Sequence, residues 1–237
     1  MKNKITIVGI NFWPEDTAIG LYTYQLANFY KEKGLEVNVI TGFPYYPTWR
    51  INSEYKPKKT FYEESINGIK IYRYKQYVPK SPIFFKRILH LLDFTFGSFI
   101  NLLKKTDVVL CVVPFIGCVF LGKFLAKLKG AKLWVHIQDF EFDAVTDSNL
   151  IDKKNNKKFI FKILFFLESK LLNSADLLST ISSSMVKKLT GKTKIEIEKK
   201  LLPNWVDPNF ILPKEHKKHS YLKSDKFKIL YSGNIGE

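Results

Sequence analysis

Apolar positions along the chain fall into short continuous runs, separated by longer stretches of helical period. Residues 5–10, 36–41, 107–113, 132–137 and 176–181 are the continuous runs. Such runs predict strands buried on both faces, as in the centre of a parallel sheet. Between them, residues 19–33, 82–105, 115–129, 154–174 and 183–190 carry the helical pattern, and residues 199–202 predict a further short strand. Gly34 and Gly130 stand where helices commonly stop in a left-handed residue. Repeated strand–helix units with right-handed crossovers predict a Rossmann-like, doubly wound α/β sheet. One segment breaks the alternation. Asn67-Gly68 separates two β-rich runs, 60–66 and 69–74, which is the sequence signature of a type I′ hairpin.

In open parallel sheets, ligands bind beyond the carboxyl ends of the strands. That rule selects the loops 11–20, 42–50, 114–117 and 138–147. Gly20 falls at the start of a helix, where a missing Cβ lets a phosphate approach the backbone or lets the helix pack closely on the sheet. The loop 42–59 is rich in Pro, Tyr and Trp. Loops of that length inside a domain commonly carry function. After the strand 132–137 the chain reads His136-Ile137-Gln138-Asp139-Phe140-Glu141-Phe142-Asp143. A His and a carboxylate at the sheet edge suit hydrogen bonding to sugar hydroxyls or proton handling. The alternating Asp139, Glu141 and Asp143 leave a divalent-metal site open as an alternative.

The charge narrows the partners. Lys and Arg number 38 against 22 Asp and Glu, a formal charge of +16. This excess favours an anionic partner, a lipid surface or a nucleic acid. A nucleic-acid binder would need an exposed aromatic platform, whereas the aromatics here lie mostly in core-like runs. No nucleic acid is therefore expected, and a non-enzymatic basic nucleic-acid-binding domain stands as the alternative reading. The segment 77–105 combines aromatics with Lys80, Lys86, Arg87, Lys104 and Lys105, and holds Asp93 as its acid. It reads either as a helix at an anionic membrane interface or as a core helix with basic ends. The longest uncharged apolar stretch, 108–122, falls short of the ~20 residues of a membrane span. Cys111 and Cys118 sit in that stretch as expected buried thiols rather than a disulfide.

Two domains are expected: residues 1–202, and residues 203–237 as a linker followed by the first strand of a second, truncated domain. Residues 227–232 read as that strand, and Gly233-Asn234-Ile235-Gly236 as a phosphate-facing turn. Asn204, in the segment Asn204-Trp205-Val206-Asp207, reads by its position either as a hinge facing the ligand cleft or as a simple turn.

The ordered set "GINFWPEDTAIGLYTYQLA", "GFPYYPTWRI", "YVPKSP", "VVPFIGCVFLG", "VHIQDFEFDA", "STISSSM", "LPNWVD" and "ILYSGNIGE" resembles the retaining, GT-B-fold glycosyltransferases of family 4. The resemblance is strongest to the branch building colanic acid, capsule and O-antigen, including fucosamine transferases. It implies the N-terminal, acceptor-side domain of an enzyme that moves a sugar from a nucleotide-diphosphate sugar to a lipid-linked saccharide. The reaction would take place at the inner face of the cell membrane. His136 and Asp139 would be catalytic. Gly20, Asn204, Gly233 and Asn234 would bind the donor, and Glu15, Tyr45, Tyr46 and Glu141 the acceptor. No cofactor and no metal are expected, because helix N-termini and basic groups can stabilise the leaving diphosphate. Residues 1–237 alone are expected to be inactive, since the family's later donor-binding motifs are not in them.

Overall fold

A computed structural model describes residues 4–15, 18–101, 105–140, 155–193, 196–206, 226–227 and 229. The chain forms two compact units, Met1–Asn204 and Trp205–Glu237. In the second unit, Phe227 and Ile229 are 92% and 88% exposed. Neither lies in a strand. The rest of the strand expected over 227–232, with Gly233 and Asn234, lies outside the described residues.

The first unit is an eight-stranded sheet. Its strands are β1 (Lys4–Val8), β2 (Glu36–Gly42), β3 (Phe61–Ile66), β4 (Ile69–Tyr74), β5 (Val108–Val113), β6 (Lys132–Ile137), β7 (Leu177–Thr180) and β8 (Glu198–Leu201). The spatial order is β3-β4-β2-β1-β5-β6-β7-β8. Pairing is parallel throughout except between β3 and β4. The helices are α1 (Ala18–Glu32), α2 (Phe84–Gly97), α3 (Ile116–Lys129), α4 (Asn155–Leu172) and α5 (Ser183–Lys192).

The core sits where the sequence is most continuously apolar. Val109, Leu110 and Cys111 of β5, Leu133 and Val135 of β6, and Cys118, Leu121 and Leu125 of α3 are all buried. Cys111 and Cys118 are free, buried thiols. The hairpin forms as its turn residues dictate: Asn67 and Gly68 both take positive φ, 51° and 75°. It does not stand apart, because β4 pairs parallel with β2 and extends the sheet. Gly130 ends α3 in the left-handed conformation, its N–H donating to the Ala126 carbonyl.

The helix expected over 82–105 is shorter. α2 stops at Gly97 and continues as a 3-10 turn, Ser98–Asn101. Gly97 packs directly beneath the ring of Tyr74, so close that a Cβ there would lie 2.0 Å from ring carbon. A weak helix former at a forced close approach accounts for the early end. Strand β1 likewise ends at Val8 rather than at residue 10. Beyond it, Gly9 N–H donates to the Ile40 carbonyl and Gly42 N–H to the Ile10 carbonyl, turning the chain towards the loop.

Candidate functional site

The spatial order places β1 between β2 and β5, which is where the winding of the sheet reverses. The crevice outside the carboxyl ends of such strands is the usual ligand position. A cavity of about 360 Å³ opens there. The loop after β1 contributes Asn11, Glu15 and Gly20, and the loop after β2 contributes Tyr45, Tyr46 and Trp49. Pro114 and Phe115 follow β5, and Asp139 follows β6. Residues from each loop selected by the strand-end rule thus meet in one cavity. The remaining wall is α2, with Arg87, His90 and Leu91.

Glu15 holds two of these loops together. It is buried, and its Oε1 accepts the backbone N–H groups of Tyr45 (2.8 Å) and Tyr46 (2.9 Å). Its Oε2 accepts from Asn11 Nδ2 at 2.8 Å. Burial pushes its carboxyl above the usual range, against the pull of those hydrogen bonds. Gly20 lies against the same residue: a Cβ there would meet the Glu15 carbonyl oxygen at 2.7 Å. Ile19 and Gly20, in the first turn of α1, face the cavity. The helix therefore brings a positive dipole end to its edge.

Arg73, on β4, is fully buried and was not singled out from the sequence. Its guanidinium donates to the carbonyls of Trp13 and of Gly42 (3.0 Å) and pairs with Glu64 at 2.5 Å. It fastens the loops after β1 and β2 to the hairpin. The one signal in the sequence is the alternation within Ile69–Tyr74, which puts Arg73 on the strand face of buried Ile69 and Ile71 while Lys70 points to the exposed face.

His136 and Asp139 occupy different positions. Asp139 is exposed at the cavity, its Oδ1 accepting from Phe140 N–H at 2.8 Å. His136 is 2% exposed and is not among the residues lining the cavity. Its Nδ1 lies 2.9 Å from Ser179 Oγ, which also accepts from Trp134 Nε1 at 2.7 Å. Its Nε2 lies 2.9 Å from Gln138 Nε2. An amide nitrogen only donates, so His136 Nε2 accepts and Nδ1 carries the proton. Burial lowers its pKa to about 4, keeping the ring neutral. Gln138 Nε2 also donates to Asn204 Oδ1 at 3.0 Å, so His136, Gln138 and Asn204 form one chain of hydrogen bonds. Glu141 lies outside the described residues, as does Asp143. Of the alternative metal trio, Asp139 alone is therefore placed.

No family model matches the chain. It is 36% identical, over 99% of its own length, to the putative colanic acid biosynthesis glycosyl transferase WcaI of Escherichia coli (strain K12). It spans 59% of that relative's length. The fold matches a sucrose-phosphate synthase from Thermosynechococcus elongatus with a TM-score of 0.62 at 13% identity, covering 90% of this chain and 51% of the synthase. It also matches the catalytic domain of starch synthase IV from Arabidopsis thaliana, solved with ADP and acarbose. There the TM-score is 0.54 at 12% identity, over 88% of this chain and 52% of the synthase. In sequence the chain thus resembles a glycosyl transferase, and in fold it resembles these two synthases. The sheet described above is the α/β architecture expected of an N-terminal GT-B domain.

Proposed function

We propose that the chain is the acceptor-side domain of a glycosyltransferase. The full enzyme would move a sugar from a nucleotide-diphosphate sugar to a lipid-linked saccharide of a surface polysaccharide, colanic acid, capsule or O-antigen, at the inner face of the cell membrane. The observation that carries this is the cavity itself. It lies at the reversal point of the sheet, and the relative matched over nearly the whole chain has a glycosyl transferase name. Its aromatic lining, Tyr45, Tyr46 and Trp49, suits the apolar faces of sugar rings, and Asp139 suits a sugar hydroxyl.

In this reading Asp139 hydrogen-bonds the attacking hydroxyl of the acceptor. His136 acts one step back, holding Gln138 and, through it, Asn204. The first turn of α1 offers its dipole to the donor diphosphate once that arrives at the cavity mouth. No residue is assigned as a covalent nucleophile and no metal is required. Residues 1–237 by themselves would not complete transfer, because the matched synthases are about twice as long as the region they share with this chain.

The membrane part rests on α2. Phe85, Leu89, Leu92 and Phe96 recur at helical spacing along its outer face, and Phe85 and Phe96 are 74% and 63% exposed. Exposed Lys80 and Lys86 flank the stripe. Apolar side chains beside cations match a bilayer with anionic headgroups. Asp93 does not oppose this, since it turns inward to accept from Tyr77 N–H (2.6 Å) and Tyr74 hydroxyl (3.1 Å). Among the described residues, no helix is long and apolar enough to cross a membrane.

The test uses residues 1–237 and a fusion of them to the C-terminal part of the Escherichia coli relative. Each is incubated with labelled nucleotide sugars and a bacterial membrane lipid extract. Label is expected in the lipid fraction with a folded fusion and not with residues 1–237 alone. A folded fusion without transfer contradicts the enzymatic reading. Transfer by residues 1–237 alone contradicts the division of labour.

A further inference from the structure

α2 has a second polar edge, on the face opposite its apolar stripe. Residues 85, 89, 92 and 96 form the outer row, and residues 87, 90, 91 and 94 fall about half a helical turn away. Phe94 is buried, and Arg87, His90 and Leu91 line the cavity. One helix thus carries an exposed apolar row and a wall of the cavity on opposite sides.

That wall is organised around Trp49. Its backbone takes φ +53°, in the left-handed region that bulky residues avoid. The loop is held in this form by hydrogen bonds from Arg50 N–H to the Tyr45 carbonyl (3.3 Å) and from Asn52 N–H to the Pro44 carbonyl (2.9 Å). The result is an indole placed against α2. The Arg87 guanidinium lies over its ring, 5.2 Å from the centroid, and the His90 ring meets it edge-on at 5.5 Å. The stacking orients Arg87 without consuming its charge. Among the described residues that line the cavity, Arg87 is the one cation.

His90 adds an independent sign of a ligand. Its side chain is fully buried, and Nδ1 is bonded to the Tyr77 carbonyl. A carbonyl only accepts, so Nδ1 carries the proton and Nε2 presents a lone pair. Nε2 is buried with no hydrogen-bond partner among the described residues. Buried acceptors without partners are uncommon and ask for a donor.

We infer that the α2 wall is the subsite for the sugar–diphosphate end of a lipid-linked acceptor: Arg87, stacked on Trp49, takes the phosphate oxygens, and His90 Nε2 accepts a hydroxyl of the first sugar. This rests on the acceptor class proposed above and adds where its charged end is held. We take the group joining saccharide to lipid in that acceptor to be a diphosphate. An Arg on the cavity side of the helix whose other side is apolar is placed to meet it at that junction. A planar guanidinium also matches phosphate oxygens in pairs.

The experiment is calorimetric titration of residues 1–237, wild type and variants, with farnesyl diphosphate, glucosyl farnesyl diphosphate, farnesol and uridine diphosphate. Sedimentation with phosphatidylglycerol vesicles runs alongside. The inference expects Arg87→Gln to weaken both farnesyl diphosphates at least tenfold. Lys127→Gln, an exposed lysine of α3 outside the cavity, should leave them within twofold. His90→Phe should weaken the glucosyl compound several-fold and the sugar-free compound little. Farnesol should bind no variant measurably. Equal loss in Arg87→Gln and Lys127→Gln overturns the inference, because diffuse charge then suffices. Loss of vesicle binding alone in Arg87→Gln overturns it in favour of a lipid headgroup contact. A parallel tenfold loss for uridine diphosphate overturns it in favour of the donor. If His90→Phe does not fold, Arg87→Gln decides the matter, since that side chain is exposed. None of these readings involves sugar transfer, so a glycosyltransferase assay that fails leaves them separately interpretable.

Discussion

Individual side chains at this site divide into those that build it and those that meet solvent in it. His136 belongs to the first group. Its folded pKa of about 4 lies below the ordinary value of 6.5 because burial disfavours the charged ring. The unfolded chain therefore binds a proton first as pH falls, and the native state is disfavoured between about pH 6.5 and 4. Above that window the neutral ring costs nothing. The shift is worth about 3 kcal/mol across it. Denaturant unfolding at pH 7 and pH 4 should show wild type losing about that much more stability than His136→Gln. Equal losses would place His136 in a more hydrated position than its burial implies. Burial lowers His90 in the same direction. Buried Glu15 runs opposite: its raised pKa gives stability that is lost as pH rises through the folded value. The comparison is therefore between variants and not of absolute curves. Asp139 belongs to the second group. In the fusion enzyme, Asp139→Asn should lower turnover at least tenfold while the melting temperature stays within ~1 °C, because surface substitutions usually change stability by under 0.5 kcal/mol. Preserved turnover per folded molecule would remove Asp139 from the reaction.

Single elements show what the sequence makes legible. Asn67-Gly68 names its own turn, and the hairpin follows. The apolar runs of β1, β2, β5 and β6 name strands that need cover on both faces, and the strand-end rule then finds the cavity loops. The α2 wall was not legible in this way. Arg87 and His90 reach the cavity because α2 packs beside the loop of Tyr45 and Trp49, a contact between segments some forty positions apart. Neither the helical period nor the charge pattern encodes that meeting. The length of α2 was missed for a related reason: the Tyr74 ring that presses on Gly97 comes from β4. The outer row of α2 yields its own prediction. Lys86→Glu should reduce sedimentation with anionic vesicles by an amount that shrinks with salt, since one basic residue near such a surface contributes about 1 kcal/mol. Phe85→Ser with Phe96→Ser should reduce it at every salt concentration, through lost insertion. Unchanged vesicle binding in both would show that this face meets something other than a bilayer.

At the scale of the whole molecule, a sheet that reverses its winding between β1 and β5 brings distant loops to one crevice, and Glu15 and Arg73 fasten them there. The proposed link between this crevice and sugar transfer rests on that architecture and on 36% identity, over nearly the entire chain, to a putative glycosyl transferase of which it spans 59%. Glu141, Gly233 and Asn234, expected from the family resemblance to complete the acceptor and donor sites, lie outside the described residues. The cavity is the proposed position of the acceptor. Hydrogen–deuterium exchange of residues 1–237, with and without a lipid-linked saccharide fraction from bacterial membranes, tests this most directly. Slower exchange is predicted together at residues 11–15, 43–50 and 84–94, with no change in β7 and β8. Protection confined to β7, β8 and α5, or none in the presence of demonstrated binding, would contradict it.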